Sequence, residues 1–229
     1  MIKKSNQQVW EKKVYSKGRQ LNFYPYDILV SIVARNFFSI PREKRSKIKV
    51  LDLGCGAGNN SKFLAESGFK VFGLDGSDSA VRACKERFSK WHLKGDFLQG
   101  DFLNLPYPDN FFDIIIDRES IYANCLPDIV VALNEVFRSL KPGGLFISFA
   151  YSQYHPDKKY GKKIGKNTYN NFKEGSFYRA GLAHFFNLGE INELFKKFRL
   201  ENIMRHSLKN IKGKFMEYDE FIILARKSL

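Results

Sequence analysis

The chain of 229 residues is long enough for one well-filled α/β domain with appended segments and too short for two full-sized domains. With 44% hydrophobic and 27% charged residues it has an ordinary globular composition, which excludes a disordered, collagen-like or disulfide-scaffold chain. The net charge of +14 lies in the flanks: residues 1–50 carry +9, residues 51–150 carry −3 and residues 151–229 carry +8. Such flanks attract nucleic acid, an anionic metabolite or an acidic membrane surface, or are a solvated lysine-rich surface, and charge alone leaves these open.

Met1-Ile2-Lys3-Lys4-Ser5-Asn6 runs into polar sequence without the apolar core of a secretory signal, so a cytoplasmic protein is expected. Residues 1–47 read as a helical arm: a polar helix over Asn6–Lys17 with Trp10 and Val14 on one face, then a more apolar one over Tyr26–Phe38 between Pro25 and Pro41. Ser31, Arg35 and Asn36 interrupt the longest apolar stretch, so no membrane span is expected. Ile48–Leu53 is a buried strand ended by the turn Gly54–Gly58, and Asn59–Ser67 is the helix it feeds. Lys70–Leu74 is a second strand, and Ser77 or Asp78 caps a helix running to about Phe88.

Phe97–Gly100 is a short strand, Leu105–Asn110 a proline-broken loop, Phe112–Asp117 a strong central strand and Asp128–Leu140 an amphipathic helix. Lys141–Gly144 turns into the strand Leu145–Ala150. Strands alternating with helices are the pattern of a parallel α/β sheet. Residues 151–188 lack a period and read as a substrate cap; Gly189–Phe198 is a last helix, and Leu200–Met204 and Phe215–Ala225 close the sheet. The cofactor-binding core is residues 48–150, completed by 189–229, in a single domain spanning 1–229.

Chemistry concentrates in Asp52-Leu53-Gly54-Cys55-Gly56-Ala57-Gly58, where residues without side chains let a ligand approach the backbone and a helix N-terminus. The glycines fall as GxGxG rather than the GxGxxG of a dinucleotide fingerprint, which argues against NAD. Asp75, 17 residues after Gly58 at the end of the second strand, is placed to accept hydrogen bonds from ribose hydroxyls. Cys55, Cys84 and Cys125 have no metal or disulfide spacing, so no metal is expected and a reducing compartment is.

In this order, the glycine turn, Gly73-Leu74-Asp75-Gly76-Ser77, Gly100-Asp101-Phe102 with Leu105-Pro106-Tyr107, Phe112–Asp117 and Leu133–Gly144 resemble the motifs of class I S-adenosylmethionine-dependent methyltransferases. The resemblance implies a Rossmann-like seven-stranded sheet, mostly parallel with the last strand antiparallel, S-adenosyl-L-methionine as methyl donor and S-adenosyl-L-homocysteine as product. It implies that Gly54, Gly56 and Gly58 line the methionine moiety, that Asp75 binds the ribose and that Asp101 meets the adenine amino group with Phe102 beside the ring, while Asp52, Cys55, Gly76, Ser77 and Gly100 complete the cofactor-binding set. Asp117 and Arg118 then sit at the mouth, and an N-terminal helix brings Trp10, Tyr15, Arg19 and Tyr24 over the cofactor, Arg19 pairing its carboxylate. Each residue also has a purely structural reading as a turn, strand-end or packing residue.

Methyl transfer by in-line displacement needs alignment, and a base only when the acceptor must lose a proton. The candidates for catalytic groups are His155 and His184 in the cap and Glu119 and Tyr122 after the fourth strand. Asn22–Asp27 and the short cap are similar to those of methyltransferases from bacterial surface-polysaccharide clusters, which suggests a nucleotide-linked or phosphorylated carbohydrate; the basic cap fits an anionic acceptor. An RNA or protein methyltransferase is the second choice, because Asp117-Arg118-Glu119-Ser120 stands where an (N/D)PP(Y/F) motif would be. A non-transferring S-adenosylmethionine-binding module is the third. The sequence leaves the oligomeric state open.

Overall fold

The computed structural model describes residues 6–19 and 21–228. The polar stretch Met1–Ser5 lies outside the described residues. Helices α1 (Asn6–Lys13), α2 (Asp27–Phe37) and α3 (Arg42–Arg45) precede β1 (Lys49–Leu53), α4 (Asn59–Glu66), β2 (Lys70–Asp75), α5 (Asp78–Lys90) and β3 (Asp96–Gln99). Then come β4 (Phe112–Arg118), α6 (Leu126–Ser139) and β5 (Leu140–Tyr151). Three short strands, β6 (Lys162–Gly165), β7 (Thr168–Asn170) and β8 (Ala183–His184), lead to α7 (Leu188–Leu194), β9 (Phe198–Leu208) and β10 (Tyr218–Lys227).

The main sheet has seven strands in the order β3-β2-β1-β4-β5-β10-β9. β1 to β5 pair in parallel, and β10 lies antiparallel to both β5 and β9. Because both faces are covered, the central strands are mostly apolar, with Asp52 of β1 and Asp117 of β4 among the exceptions. Leu51, Ile115 and Phe146 face one core with Ile129 and Leu133 of α6 and Ile191 of α7. Val50, Ile114 and Ile147 face the other, against Leu29 and Val33 of α2, Leu64 of α4 and Val81 of α5. β1 leads outward to β2 on one side and β4 to β5 on the other, so the β1/β4 junction is the point of strand-order reversal, where a crevice opens at the carboxyl ends.

Several boundaries move from those expected. The first helix stops at Lys13, and a separate 3-10 turn at Tyr15–Lys17 ends on Gly18 in the left-handed region, φ 65°. Lys141–Gly144 is not a free turn but an irregular opening of β5, with a register shift against β4. Helix α7 ends at Leu194, and Phe198 already opens β9 by pairing with Lys227 of β10. The aperiodic segment after β5 holds the small antiparallel sheet β6-β7-β8, whose strands are too short to leave a period in sequence.

Gly58 opens α4 at φ 84°, and a Cβ there would lie 2.5 Å from the Cys84 Sγ of α5. Its need for glycine comes from helix packing as well as backbone conformation. Gly58→Ala is expected to lower stability by roughly 1–3 kcal/mol, read as a shift in the urea midpoint at unchanged slope.

Candidate functional site

A cavity of about 640 Å³ occupies the crevice over β1, β2 and β4. The glycine turn forms one side: Gly54 and Gly56 adopt φ of 73° and 53°, and side chains there would strike Ser120 and the Tyr15 hydroxyl respectively. Asp75, at the end of β2, accepts from the Gly56 N–H through Oδ2 (2.9 Å) and from the Ser77 N–H through Oδ1 (2.8 Å). Burial pushes its carboxyl up, the two N–H bonds oppose this, and Glu11 nearby adds to the rise. Gly76, Ser77 and Phe102 continue this side.

The arm closes over it. Trp10 and Tyr15 line the cavity with ring centroids 6.2 Å apart. Two charged residues hold the arm down. Glu11 accepts from the Ser79 N–H (3.1 Å) and from the hydroxyls of Ser77 and Ser79, at the N-terminus of α5, which holds its carboxyl below the usual range. Arg87 of α5 donates to the carbonyls of Leu21 (3.0 Å), Asn22 (2.7 Å) and Ala57 (3.1 Å), and stacks on Phe23.

The other end of the cavity is built on the turn after β4. Asp117 is buried and accepts from the Ser120 N–H (2.8 Å), the Ile121 N–H (3.1 Å) and the Ser148 hydroxyl (3.0 Å). That brace holds Glu119 at φ 58°, a conformation uncommon for a residue with a side chain, and aims it into the cavity. Arg118 is ion-paired to Glu119 and, at 3.4 Å, to Glu220 of β10, with its guanidinium over the Tyr26 ring at 3.8 Å. Burial alone would depress the Arg118 pKa, but the two carboxylates raise it, so it is always charged. Burial lifts the Glu220 carboxyl to about 8 despite Arg118, and it shares a hydrogen bond with Glu119. His206 Nδ1 lies 3.1 Å from Glu220 and is partly exposed.

The sequence profile of the methyltransferase-domain family matches residues 44–205. The chain belongs to that family. It is 36% identical over 102 residues to the sterol 24-C-methyltransferase of Schizosaccharomyces pombe, which is 43% of this chain and 26% of that protein. The chain therefore spans about a quarter of that curated relative. In fold it superimposes on an S-adenosylmethionine-dependent methyltransferase of Methanosarcina mazei with TM-score 0.71, at 22% identity, covering 90% of this chain and 99% of the other. It superimposes likewise on the 1,6-didemethyltoxoflavin-N1-methyltransferase of Burkholderia thailandensis, solved with bound 1,6-didemethyltoxoflavin and S-adenosylhomocysteine. There the TM-score is 0.69 at 18% identity, over 93% of this chain and 84% of that one. The cofactor of this methyltransferase domain is S-adenosylmethionine, and its residues fit that group: the turn lines the cavity at Gly54 and Gly56 without side chains, which would strike Ser120 and Tyr15, and the acidic strand end Asp75 faces the same cavity.

Not every expected site residue reaches the cavity. Trp10, Tyr15, Gly54, Cys55, Gly56, Asp75, Gly76, Ser77, Phe102, Arg118, Glu119, Tyr122 and His155 line it. Asp52 lies beneath the glycine turn, accepting from the Ser61 hydroxyl at 2.6 Å, and Gly58 faces α5. Gly100 packs on Leu74, and Asp101 spends Oδ1 on the Leu103 N–H (2.9 Å), closing the turn that presents Phe102. Asp117 braces from behind rather than standing at the mouth. Arg19 and Tyr24 are exposed and do not form part of the cavity wall.

The candidate proton acceptors separate on hydrogen bonding. His184 is fully buried away from the cavity, its Nδ1 2.8 Å from Thr168 Oγ1 and its Nε2 3.0 Å from Glu190, so its role is structural. His155 accepts the Asp157 N–H at Nδ1 (3.2 Å), so the neutral ring carries its proton on Nε2, which is buried without a partner. Burial lowers its pKa and keeps it neutral. It is therefore built as an N–H donor, not as the base its position in the cap suggested. Burial also keeps Tyr122 protonated, and Glu119 and Asp27 are the acidic residues lining the cavity besides Asp75 among the described residues. The signal missed in sequence was that of Glu11, Arg87 and Glu220, which act on partners far away in the chain.

Burial raises Asp52 to about 6, so the protonated form stabilises the fold; that contribution is complete below the ordinary value of about 4 and lost as pH rises through about 6. Asp52→Asn stays neutral throughout. Its stability relative to the unmodified chain is expected to rise by roughly 2–3 kcal/mol from acidic to neutral pH, with a midpoint at about pH 5, between the unfolded and folded values, in urea titrations at stepped pH.

Proposed function

We propose that this domain transfers the methyl group of S-adenosylmethionine to a small, neutral or cationic acceptor with an apolar body, and that Glu119 receives the acceptor's proton. The observation that carries this reading is one continuous cavity with Asp75, the glycine turn and Phe102 at one end and Glu119 at the other. When bound, S-adenosylmethionine supplies an electrophilic methyl group on a sulfonium sulfur. The side chain of Asp75 takes the ribose hydroxyls on lone pairs not used by Gly56 and Ser77, while Tyr15 and Trp10 exclude water from above. Holding nucleophile and methyl carbon in line removes much of the entropic barrier.

At the acceptor end, the His155 Nε2–H donates to an oxygen or nitrogen lone pair of the acceptor and Tyr151, Phe177 and Met216 grip its apolar body. Glu119 takes the proton, and Glu220 and His206 form a path by which it leaves for solvent. An anionic carbohydrate acceptor is disfavoured: Arg118 is the one Lys or Arg among the described residues lining the cavity, and it is committed to Glu119 and Glu220. The cap lysines point elsewhere, and Asp27 adds a further acidic group to the wall. The sterol acceptor in the name of the relative from Schizosaccharomyces pombe is in keeping with an apolar body rather than with a surface-polysaccharide precursor.

Calorimetry with S-adenosylhomocysteine tests the cofactor end: Asp75→Ala should weaken binding roughly tenfold to a hundredfold, and unchanged affinity would overturn the assignment. At the acceptor end, Glu119→Gln should leave that affinity intact and lower kcat by roughly a hundredfold or more toward acceptors that lose a proton, with hydroxylated and amine-bearing apolar compounds as the panel.

A further inference from the structure

The connection between β9 and β10 reads Lys209-Asn210-Ile211-Lys212-Gly213-Lys214-Phe215-Met216-Glu217. Its base is closed by side chain to backbone bonds: Glu217 Oε1 accepts from the Asn210 N–H (3.0 Å) and Nδ2 (3.2 Å), and Asn210 Oδ1 accepts from the Phe215 N–H (3.3 Å). The tip is thereby held out from the protein, with Ile211 104% exposed, Phe215 83% and Met216 50%. Lys209, Lys212 and Lys214 alternate with these apolar groups and are exposed too, while the loop's one acid, Glu217, is turned to Asn210.

This loop belongs to the rim of the cavity, because Met216 lines it together with Tyr218 at the start of β10. The other rim segments carry the same kind of residue. Phe23 and Tyr24, 60% and 85% exposed, flank Asn22 and Tyr26, which line the cavity. Tyr154, 56% exposed under the Arg205 guanidinium, stands between the cavity-lining Tyr151 and His155. Three separate segments thus project apolar side chains around one opening, a clustering that single exposed hydrophobics scattered over a surface do not give.

We infer that this rim docks on an anionic lipid bilayer, with Ile211 and Phe215 inserted at the acyl boundary and Lys209, Lys212 and Lys214 at the headgroup phosphates. Alternating cationic and apolar side chains suit an interface in which charge lies a few ångströms above hydrocarbon. A nucleic acid would engage the lysines and could stack a base on Phe215, but it has no use for the fully exposed aliphatic side chain of Ile211 at the tip. Seated in this way, the mouth opens onto the bilayer, and an apolar acceptor enters past Met216 without crossing water. The inference goes beyond methyl transfer and does not require it.

The test is co-sedimentation of the full chain with phosphatidylcholine vesicles, with and without phosphatidylglycerol, and with RNA as a soluble polyanion. Binding to the phosphatidylglycerol vesicles is expected, weakened roughly tenfold or more in the double variant Ile211→Ser, Phe215→Ser and also in the triple variant of Lys209, Lys212 and Lys214 to Gln. All these positions are exposed, so the variants should melt as the unmodified chain does. Absence of binding, or equal binding by the apolar double variant, would overturn the proposal. So would a pattern in which RNA competes fully and only the lysines matter, which would mark simple attraction to polyanions. The assay contains no cofactor, so a failure to bind S-adenosylhomocysteine would remove the methyl-transfer reading and leave this one standing.

Discussion

The two oxygens of Asp75 tie together turns that would otherwise move independently. One receives the N–H of Gly56 after β1, the other the N–H of Ser77 after β2. Ser77 in turn caps α5 by accepting the Ala80 N–H at 3.1 Å, so the same carboxylate sets where that helix begins. Glu11 binds the N-terminus of α5 at Ser77 and Ser79, and through it the arm takes its place over the glycine turn. A buried acid that is costly to ionise in isolation thus becomes the joint on which cavity floor, helix and arm are assembled.

A second joint lies across the strand-order reversal. Ser120 fills the space that a side chain on Gly54 would need, so the turns after β1 and β4 fit each other only when the first is glycine. Asp117 stabilises the β4 turn from behind, and the left-handed residue Glu119 is the product of that bracing. The ionic cluster around Arg118 then spans the sheet from β4 to β10, although β10 is more than a hundred residues later in the chain. It is costly to desolvate, and it fixes the orientation of a carboxylate at the acceptor end.

The central strands were legible because they are covered on both faces and read as near-continuous apolar runs, and the glycine turn because its backbone conformation restricts the residues it accepts. Asp75 and Phe102 could be located by their distance from those landmarks. Asp52, Asp101 and Asp117 were found at the right strand ends, yet each turned its carboxylate toward a neighbouring hydroxyl or N–H, a choice made by local turn geometry and not by spacing. Arg87 left no trace in sequence because its partners are backbone carbonyls of Leu21 and Asn22, which any residue type would supply. The sheet β6-β7-β8 was hidden by the shortness of its strands, and His184 by the distance in sequence to Thr168 and Glu190.

Among the described residues of the arm before Leu21, Val14 is the one that is fully buried and Trp10 packs partly buried against the core, so the Glu11 contacts to α5 carry a large share of its attachment. Such contacts exchange with water at far lower cost than the sheet does, and the arm can lift as a local unit while the core stays folded. The ceiling supplied by Trp10 and Tyr15 therefore depends on the tether that Glu11 makes to α5, so a loss of that tether would uncover the cavity without disturbing the sheet beneath it.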